Sequence, residues 1–419
     1  MTNKTQVAKK SSNSKNSNNK KAKRDVGNDK TTEEKTAITL VKSKTKPGTV
    51  KKTASKASVE KTKSCPDVAL KRTKSTMSVS VDKTSTCDDG KKEEKTKGKK
   101  EKWAGEAAAN QFSKSLANVN MQSEYDEIQK MSANIERCKF WQANTGRNRH
   151  PDYKCYDDTR VIVQMTKSDY INGTKINVPN FSPSIYLVQL PKLELVDAVE
   201  EFWRMVFHDQ CQSVHIIARP EELSNPGIEA LFAQECGAYL YANGFFINTR
   251  KVEKRDASKA DVFVVELLPE GCSNSLMCTV YLHTYWKQAI GPDRFGAQIR
   301  AAQQIAKNEH GPAPTILASV RGAGRNAALL SLAVIVDQLS KGKEPKISDI
   351  VRTIREQRPM GVDSYFQYAS LYLATNWLIK NKVTAGPATE EMMARIKKFN
   401  EKATHSGPSS TMKHPTEET

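Results

Sequence analysis

The chain has 419 residues and a formal net charge of +19, and this charge is unevenly placed. Its first 100 residues carry 28 Lys and Arg against 11 Asp and Glu, and all of its aromatic residues lie from Trp103 onward. A first segment of this composition cannot bury enough apolar surface to form a core. The longest apolar run, AALLSLAVIV, is too short to span a bilayer, so the composition excludes a membrane-spanning helix.

The composition divides the chain into three parts. Residues 1–102 are predicted to be a disordered basic segment rich in Lys, Ser and Thr, which either contacts polyanions without specificity or serves only as a solvated tail. Residues 103–384 suit one large α/β domain, and residues 385–419 are predicted to be a polar tail. No apolar segment follows Met1, so we expect an intracellular, cytoplasmic protein, and the Lys-rich segment leaves nuclear entry open.

The cysteine pattern argues against a metal site. Eight cysteines form no C-x-x-C pair and no cluster with histidine, so we expect a reduced protein with no structural metal. Cys138, Cys155 and Cys211 lie in or near predicted elements and are expected to be small buried side chains.

The first half of the domain is predicted to begin with helices and continue into strands. Hydrophobic spacing predicts helix over residues 104–135, with a weak break near Val119 and Asn120. A polar segment then leads to a strand, TRVIVQM, and DYINGTKINV is predicted to turn at its Asn172–Gly173 pair. LELVDAVEEFWRMVFHD has the spacing of an amphipathic helix, and SVHIIARP is predicted to be a buried strand that ends at Pro220.

The second half is predicted to alternate strands and helices. GIEALFAQECGAYL is ambiguous between helix and loop, and three strands follow in GFFINTRKV, ADVFVVELL and MCTVYLHTYW. The helix RFGAQIRAAQQIAKNE precedes a short buried strand, PTILASV, and the helices AGRNAALLSLAVIVDQL, KISDIVRTIREQ and VDSYFQYASLYLATNWLI close the domain. This order predicts an α/β (α+β) fold, in which helices flank a twisted mixed sheet.

Six motifs in one order carry a resemblance to a known family. They are NRHPDYKCYDDTRVIV, DYINGTKI, EEFWRMVFHDQCQSVHII, QECGAYL, SVRGAGRNA and RPMGVDSYFQY. Each motif is weak alone, but their order and spacing resemble the classical protein-tyrosine phosphatases from about Trp103 to about Val383. The resemblance implies the fold of that family. The altered catalytic positions are similar to those of the degenerate soluble phosphatase-like proteins of nematodes.

The nucleophile of that family is missing. In the family, a cysteine thiolate lies at the base of a glycine turn, where backbone N–H groups and a helix N-terminus hold the phosphate. The matching position here is Ser319, and Ala318 replaces the histidine that precedes the cysteine. Asn326 replaces the hydroxyl residue that follows the closing arginine. A serine hydroxyl stays protonated near neutral pH unless a base activates it, so the resemblance implies a lost nucleophile.

The general acid of the family is also replaced. The family's mobile loop begins with W-P-D, and its aspartic acid protonates the leaving group. Here Trp286 matches, Lys287 replaces the proline, and Gln288 replaces the acid with an amide that cannot donate such a proton. Asp363 lies where the family has a glutamine that positions water, and His150 lies where a tyrosine stacks on the substrate ring. These changes predict a protein without meaningful phosphatase turnover.

The resemblance implies that the anion-binding scaffold is retained. Gly322 and Gly324 allow the backbone N–H groups to point inward, Arg325 can bind two phosphate oxygens, and Arg321 adds a further cation. The predicted phosphate-binding residues are Ser319, Val320, Arg321, Gly322, Ala323, Gly324 and Arg325. The predicted substrate-recognition residues are His150, Asp152, Trp286 and Gln367. Cys236 matches a cysteine of the family's core and is predicted to be packed.

Other protein classes fit the sequence less well. GAGRNA satisfies the dinucleotide pattern G-x-G-x-x-A, but no strand ending in Asp or Glu follows at the required distance. A serine hydrolase needs a base for Ser319, and the nearest histidines in sequence, His283 and His310, have no evident placement beside it. A residually active phosphatase and a pure scaffold with a basic polyanion-binding arm stay open.

The sequence therefore predicts a pseudophosphatase that acts in signalling. We expect it to bind phosphotyrosine or another anion, or to serve as a protein-interaction scaffold. The expected partner is a phosphotyrosine protein or a kinase, and no cofactor is expected.

Overall fold

The computed structural model describes residues 103–405, except for residues 224, 257–258, 288–290, 292–294 and 385. The predicted disordered segment, residues 1–102, lies outside the described residues. The helices of the described part are α1 (Glu106–Ser115), α2 (Met121–Gln129), α3 (Lys139–Ala143), α4 (Val196–His208), α5 (Phe295–Lys307), α6 (Arg325–Ser340), α7 (Ile347–Gln357), α8 (Tyr365–Lys382) and α9 (Pro387–His405).

A nine-stranded mixed sheet runs through the described part of the chain. The strands are β1 (Arg160–Ile162), β2 (Tyr170–Ile176), β3 (Ile185–Gln189), β4 (Ser213–Ile217), β5 (Tyr239–Ala242), β6 (Phe245–Glu253), β7 (Asp261–Pro269), β8 (Leu276–His283) and β9 (Thr315–Ser319). Their order across the sheet is β1-β2-β3-β9-β4-β8-β7-β6-β5. The four central strands β3, β9, β4 and β8 are parallel, and the strands on both sides of them are antiparallel.

The sheet separates two apolar clusters because successive side chains of a strand point to opposite faces. In β9, Leu317 faces a cluster formed with α1, α2 and α5–α9, whereas Ile316 and Ala318 face a cluster formed with α4. Helix α6 is buried around most of its circumference, between the sheet and α5, α7 and α8. An apolar helix of this kind is typical of a domain interior. The predicted fold class, a mixed sheet flanked by helices, is confirmed.

Two local predictions were wrong or incomplete. Asn172 and Gly173 form no turn, because β2 continues through them and pairs with β3. A side chain at Gly173 would approach Val188 of β3 to 3.2 Å and Val161 to 3.3 Å, so the glycine permits close strand packing there. The motif analysis also missed β3 itself, although it is one of the central strands.

The chain after residue 385 contains more structure than the sequence prediction gave it. A polar tail was predicted for residues 385–419, but α9 packs against α1 and α8 and buries Met392, Ile396, Phe399 and Ala403. The Arg395 guanidinium also donates to Asn110 Oδ1 at 2.7 Å. In the sequence, the many Lys and Glu residues of this helix hide its apolar side. Residues 406–419 lie outside the described residues.

The cysteines of the described part are all free thiols. Cys138, Cys155 and Cys211 are buried, as predicted, but Cys236 is exposed and its thiol donates to the carbonyl of Arg250 at 3.2 Å. The prediction that Cys236 is packed was therefore wrong. Across the described helices, none combines the length and the apolar character that crossing a membrane requires.

Candidate functional site

A glycine-containing loop joins the central strand β9 to the buried helix α6. Gly322 has a φ of +74°, and a side chain there would come within 2.6 Å of the backbone of Gln189. Gly324 is the N-cap of α6. The loop thus brings the positive end of a 16-residue helix to the C-terminal end of the central strand β9. Many proteins bind anions with this arrangement. Residues 319–325, which were predicted to hold phosphate, make up this loop.

Ser319 lies at the base of this loop and is 1% exposed. Its Oγ accepts a hydrogen bond from the backbone N–H of Gly322 at 3.0 Å. Among the described residues, no acid or imidazole is hydrogen-bonded to this hydroxyl, so nothing there is placed to remove its proton.

His283, one of the histidines considered for a serine hydrolase, cannot be the missing base. Ile217 of β4 pairs with Ser319 on one side and with His283 on the other, so two strand spacings, about 10 Å, separate these residues. Both nitrogens of the His283 ring have partners, His215 Nδ1 at 3.0 Å and the Tyr285 hydroxyl at 2.9 Å.

Arg325 closes the loop, but its guanidinium is already paired with a carboxylate. Its side chain is fully buried, and its two Nη atoms contact the two carboxylate oxygens of Glu222 at 3.1 and 2.6 Å. It also donates to the carbonyl of Trp286. Burial lowers the pKa of Arg325 and the neighbouring Glu222 carboxylate acts against this, so the group stays a cation. A phosphate would therefore share this arginine with Glu222.

Asp363 lies beside Gly324, at the start of α6. Its carboxylate packs on Gly324 so closely that a side chain at the glycine would come within 2.3 Å of Oδ1. The Tyr153 hydroxyl donates to Asp363 Oδ2 at 2.7 Å, and an Nη atom of Arg321 lies 3.7 Å from the same oxygen. Arg321 also donates to the Tyr153 hydroxyl at 3.1 Å. The loop thus already faces a carboxylate, a phenol and a guanidinium of its own chain.

The protonation state of Tyr153 supports this arrangement. Burial raises the pKa of its phenol above the usual range, and the neighbouring Asp363 carboxylate raises it further. Tyr153 is therefore a protonated hydroxyl, and hence a hydrogen-bond donor, at neutral pH.

Gln189, at the end of β3, ties the segment after α3 to the loop. Its Oε1 accepts from the backbone N–H of Arg149 at 2.8 Å, and its Nε2 donates to the carbonyl of Arg321 at 3.1 Å. His150 and Asp152, which we call the rim, follow Arg149 in the chain. The ring of His150 is 6.3 Å from that of Tyr153. Burial lowers the pKa of His150, and Arg321 lowers it further, so the imidazole is neutral at pH 7. Asp152 is exposed to solvent.

The remaining predicted recognition residues are buried behind the loop. Gln367 accepts from the backbone N–H of Asp363 at 3.2 Å, and Trp286 is 2% exposed. Three buried polar atoms near the loop have no hydrogen-bond partner within the described residues: Asp363 Oδ1, Gln367 Nε2 and Arg325 Nε. Gln288, the predicted replacement of the general acid, lies outside the described residues.

Sequence reasoning missed four residues that shape the site. Gln189, Tyr153 and Glu222 were not selected, and neither was Arg358, whose Nε donates to the carbonyl of Gly322 at 2.9 Å. Gln189 could have been noticed as a polar residue at the end of an apolar run, and Tyr153 as an aromatic residue within the first quoted motif. Glu222 carries no local signal, because only the fold brings it to Arg325. No described group of His, Cys, Asp or Glu side chains is arranged to hold a metal ion.

Comparison with known proteins supports the resemblance. A family model described as protein-tyrosine phosphatase matches residues 144–377. A Caenorhabditis elegans protein, provisionally named a tyrosine-protein phosphatase, is 27% identical over 285 residues, which cover 68% of each chain. A second C. elegans protein with the same provisional naming is 23% identical, and the match covers 67% of this chain and 64% of that protein.

Solved structures show the same fold. The catalytic domain of human protein tyrosine phosphatase non-receptor type 18 aligns with a TM-score of 0.56 at 22% identity, covering 65% of this chain and 99% of that one. A Trypanosoma cruzi protein tyrosine phosphatase aligns with a TM-score of 0.54 at 18% identity, with the same coverage. At these identities the structures establish the fold alone. The family match covers more than half of the chain, and this chain therefore belongs to the protein-tyrosine phosphatase family.

Proposed function

We propose that this chain is a pseudophosphatase, a protein-tyrosine-phosphatase domain that binds another signalling protein without removing phosphate from it. The surroundings of Ser319 are the main support for this proposal. The Ser319 hydroxyl accepts a hydrogen bond from the Gly322 N–H and has no base beside it among the described residues. Loss of the nucleophile alone removes most of the rate of an enzyme whose catalytic groups act as a unit, roughly 10⁴- to 10⁶-fold.

The other groups around the loop support this proposal. An alkoxide at Ser319 would need stabilising cations, but Arg325 is paired with Glu222 and Arg321 with Asp363. The amide of Gln288 cannot protonate a leaving phenolate. A phosphoryl group entering the loop would also meet the Asp363 carboxylate, and two like charges at such a distance repel.

The retained framework supports a binding role. The strand, loop and helix that position a phosphate in this family are all present, with Ser319 and Arg325 buried at their junction. The half-buried His150 and the exposed Asp152 form a rim beside the loop, and we propose that a partner binds there. We propose a phosphotyrosine protein or a kinase as the partner class, held through this rim and not through its phosphate. The basic residues 1–102 would add a nonspecific polyanion contact.

The first prediction concerns turnover. The full-length chain should not hydrolyse an aryl phosphate above the uncatalysed rate, because the nucleophile and the acid are both replaced. Initial rates should be measured for the wild type, Ser319→Ala and Ser319→Cys. We expect all three to match a protein-free blank, since Gln288 and Asp363 remain in the cysteine variant. The triple variant Ser319→Cys, Lys287→Pro, Gln288→Asp tests whether restored chemistry is sufficient.

One result would contradict the proposal directly. Wild-type hydrolysis that Ser319→Ala abolishes would make Ser319 a working nucleophile and the chain a residually active phosphatase. Hydrolysis that survives Ser319→Ala would instead indicate a contaminating enzyme.

A further inference from the structure

We propose that Asp363, positioned by Tyr153, sets the specificity of the loop of residues 319–325 by repelling phosphate dianions from it. This inference rests on the proposed function, because it concerns the same loop. It differs from the sequence-based prediction, in which residues 319–325 form an open phosphate site. It rests on contacts between segments that are far apart in the chain.

Asp363 lies close to the start of α6. The Asp363 carboxylate touches Gly324, the residue that caps α6, and its side chain is 1% exposed. It therefore lies beside the N-terminus of α6, next to the loop in which a phosphate would be held. Its Oδ1 is buried and has no hydrogen-bond partner among the described residues, so this oxygen lies in the site without being consumed by neighbouring structure.

Four charged side chains lie at the loop. Two cations, Arg321 and Arg325, lie at the loop, and two carboxylates, Asp363 and Glu222, lie within ion-pair distance of them. The formal charges of these four groups cancel. The Asp363 carboxylate offsets the charge of Arg321, which would otherwise attract a phosphate dianion, and it repels such a dianion directly.

Neighbouring side chains and a backbone turn hold the Asp363 carboxylate in place. Tyr153 donates its hydroxyl to Oδ2 at 2.7 Å and is itself 6% exposed, so the phenol covers the carboxylate from the side of the rim. On the other side, Val362 adopts a φ of +58°, an unfavourable conformation for a β-branched residue. Arg355 donates to the carbonyl of Val362 at 3.3 Å, and Tyr125 does so at 3.4 Å.

This backbone conformation indicates a maintained position for Asp363. Strained residues persist where the surrounding structure determines them, and they concentrate at functional sites. Tyr153 and the backbone at Val362 thus hold the Asp363 carboxylate beside the loop. Asp363 is the specificity-determining residue, which repels the dianion, and Tyr153 is its positioning residue.

The test measures phosphate binding by the full-length protein. Inorganic phosphate and phenyl phosphate are titrated against the wild type and Asp363→Asn, with binding followed by calorimetry and by the melting temperature. We expect Asp363→Asn to bind both at least about tenfold more tightly than the wild type, because the amide keeps the shape and removes the charge. A matched control is Asp349→Asn, which removes one carboxylate from the exposed side of α7 and should bind like the wild type.

Asp363→Gln serves as a second variant if Asp363→Asn does not fold, and the same gain is expected. The proposal is overturned if the wild type binds phosphate as tightly as either variant, or if a folded variant gains no affinity. It is also overturned if Asp349→Asn gains as much, because the effect would then be one of overall charge. Failure of the proposed function is a separate result, since turnover that depends on Ser319 would appear in the hydrolysis assay whatever phosphate does here.

Discussion

Single buried polar side chains decide several properties of this domain. Asp363 and Ser319 do so at the loop, and a second buried polar group lies between the central strands. The rings of His215 and His283 stack with their centroids 5.3 Å apart, and a hydrogen bond of 3.0 Å joins them. Both are almost completely buried, and His215 Nε2 has no partner within the described residues. A charged imidazole in this place would be costly, because burial disfavours the charged form.

This pair predicts acid sensitivity. Burial lowers the pKa of His283 to about 3, while an unfolded histidine titrates near 6.5. Below about pH 6.5 the unfolded chain therefore takes up protons that the folded chain cannot, and stability falls as the pH drops toward 3. The loss should be on the order of 1 kcal/mol per pH unit for each imidazole.

The measurement is urea unfolding at several pH values between 4 and 8. His283→Gln should show a shallower fall in the free energy of unfolding than the wild type, whatever its stability at pH 8. His310→Gln, on the turn after α5, is the control and should keep the wild-type slope. Equal slopes for His283→Gln and the wild type would mean that this imidazole does not titrate across unfolding.

At the scale of elements, the site depends on how helices hold the loop from behind. Helix α6 places the loop, and α7 and α8 place Asp363 between them. Helix α9 then covers α1 and α8, with the Phe399 ring 5.7 Å from that of Tyr372. Asn376 of α8 donates to Asn400 Oδ1 at 2.7 Å. These contacts make α9 part of the domain, in contrast to the polar tail that composition predicted.

A core substitution in α9 tests its contribution. Ile396 is 3% exposed, so Ile396→Ala should lower the free energy of unfolding by about 2–5 kcal/mol through lost contacts and the cavity left behind. The neighbouring Lys397 is exposed, and Lys397→Ala should change it by no more than about 0.5 kcal/mol. Unfolding is followed by circular dichroism in denaturant. Similar small effects for both variants would mean that α9 does not contribute to the folded domain.

At the scale of the whole molecule, most of the net positive charge lies in a part of the sequence that precedes the domain with the site. Nearly all of the net charge of +19 comes from the first 102 residues, and the remainder of the chain is close to neutral. The loop itself has balanced cations and carboxylates. We therefore expect polyanion contact from the basic segment and propose partner recognition by the domain, as two independent activities.

Salt dependence distinguishes these activities. The full-length chain should bind a labelled single-stranded oligonucleotide at low salt. If six to ten phosphates are neutralised, its affinity should fall by roughly 10³- to 10⁵-fold between 50 and 200 mM salt. A chain that begins at Trp103 should lose this binding. Fluorescence anisotropy checks both, and binding that survives the deletion, or that ignores salt, would place the polyanion site elsewhere.

The sequence by itself determined the family and most of the strands and helices in their order, but it missed β3 and the packed helix α9. Periodicity and motif order are local or sequential properties, and they survive without knowledge of side-chain directions. The tertiary structure alone decided that Tyr153 meets Asp363, 210 positions away, and that Glu222 takes Arg325, 103 positions away. It also kept Asn172 and Gly173 in a strand, because pairing with β3 overrides their turn preference. The side chains of the site come from segments that are far apart in the sequence and meet only at the ends of the central strands. The spacing of residues along the chain does not predict which of these segments meet.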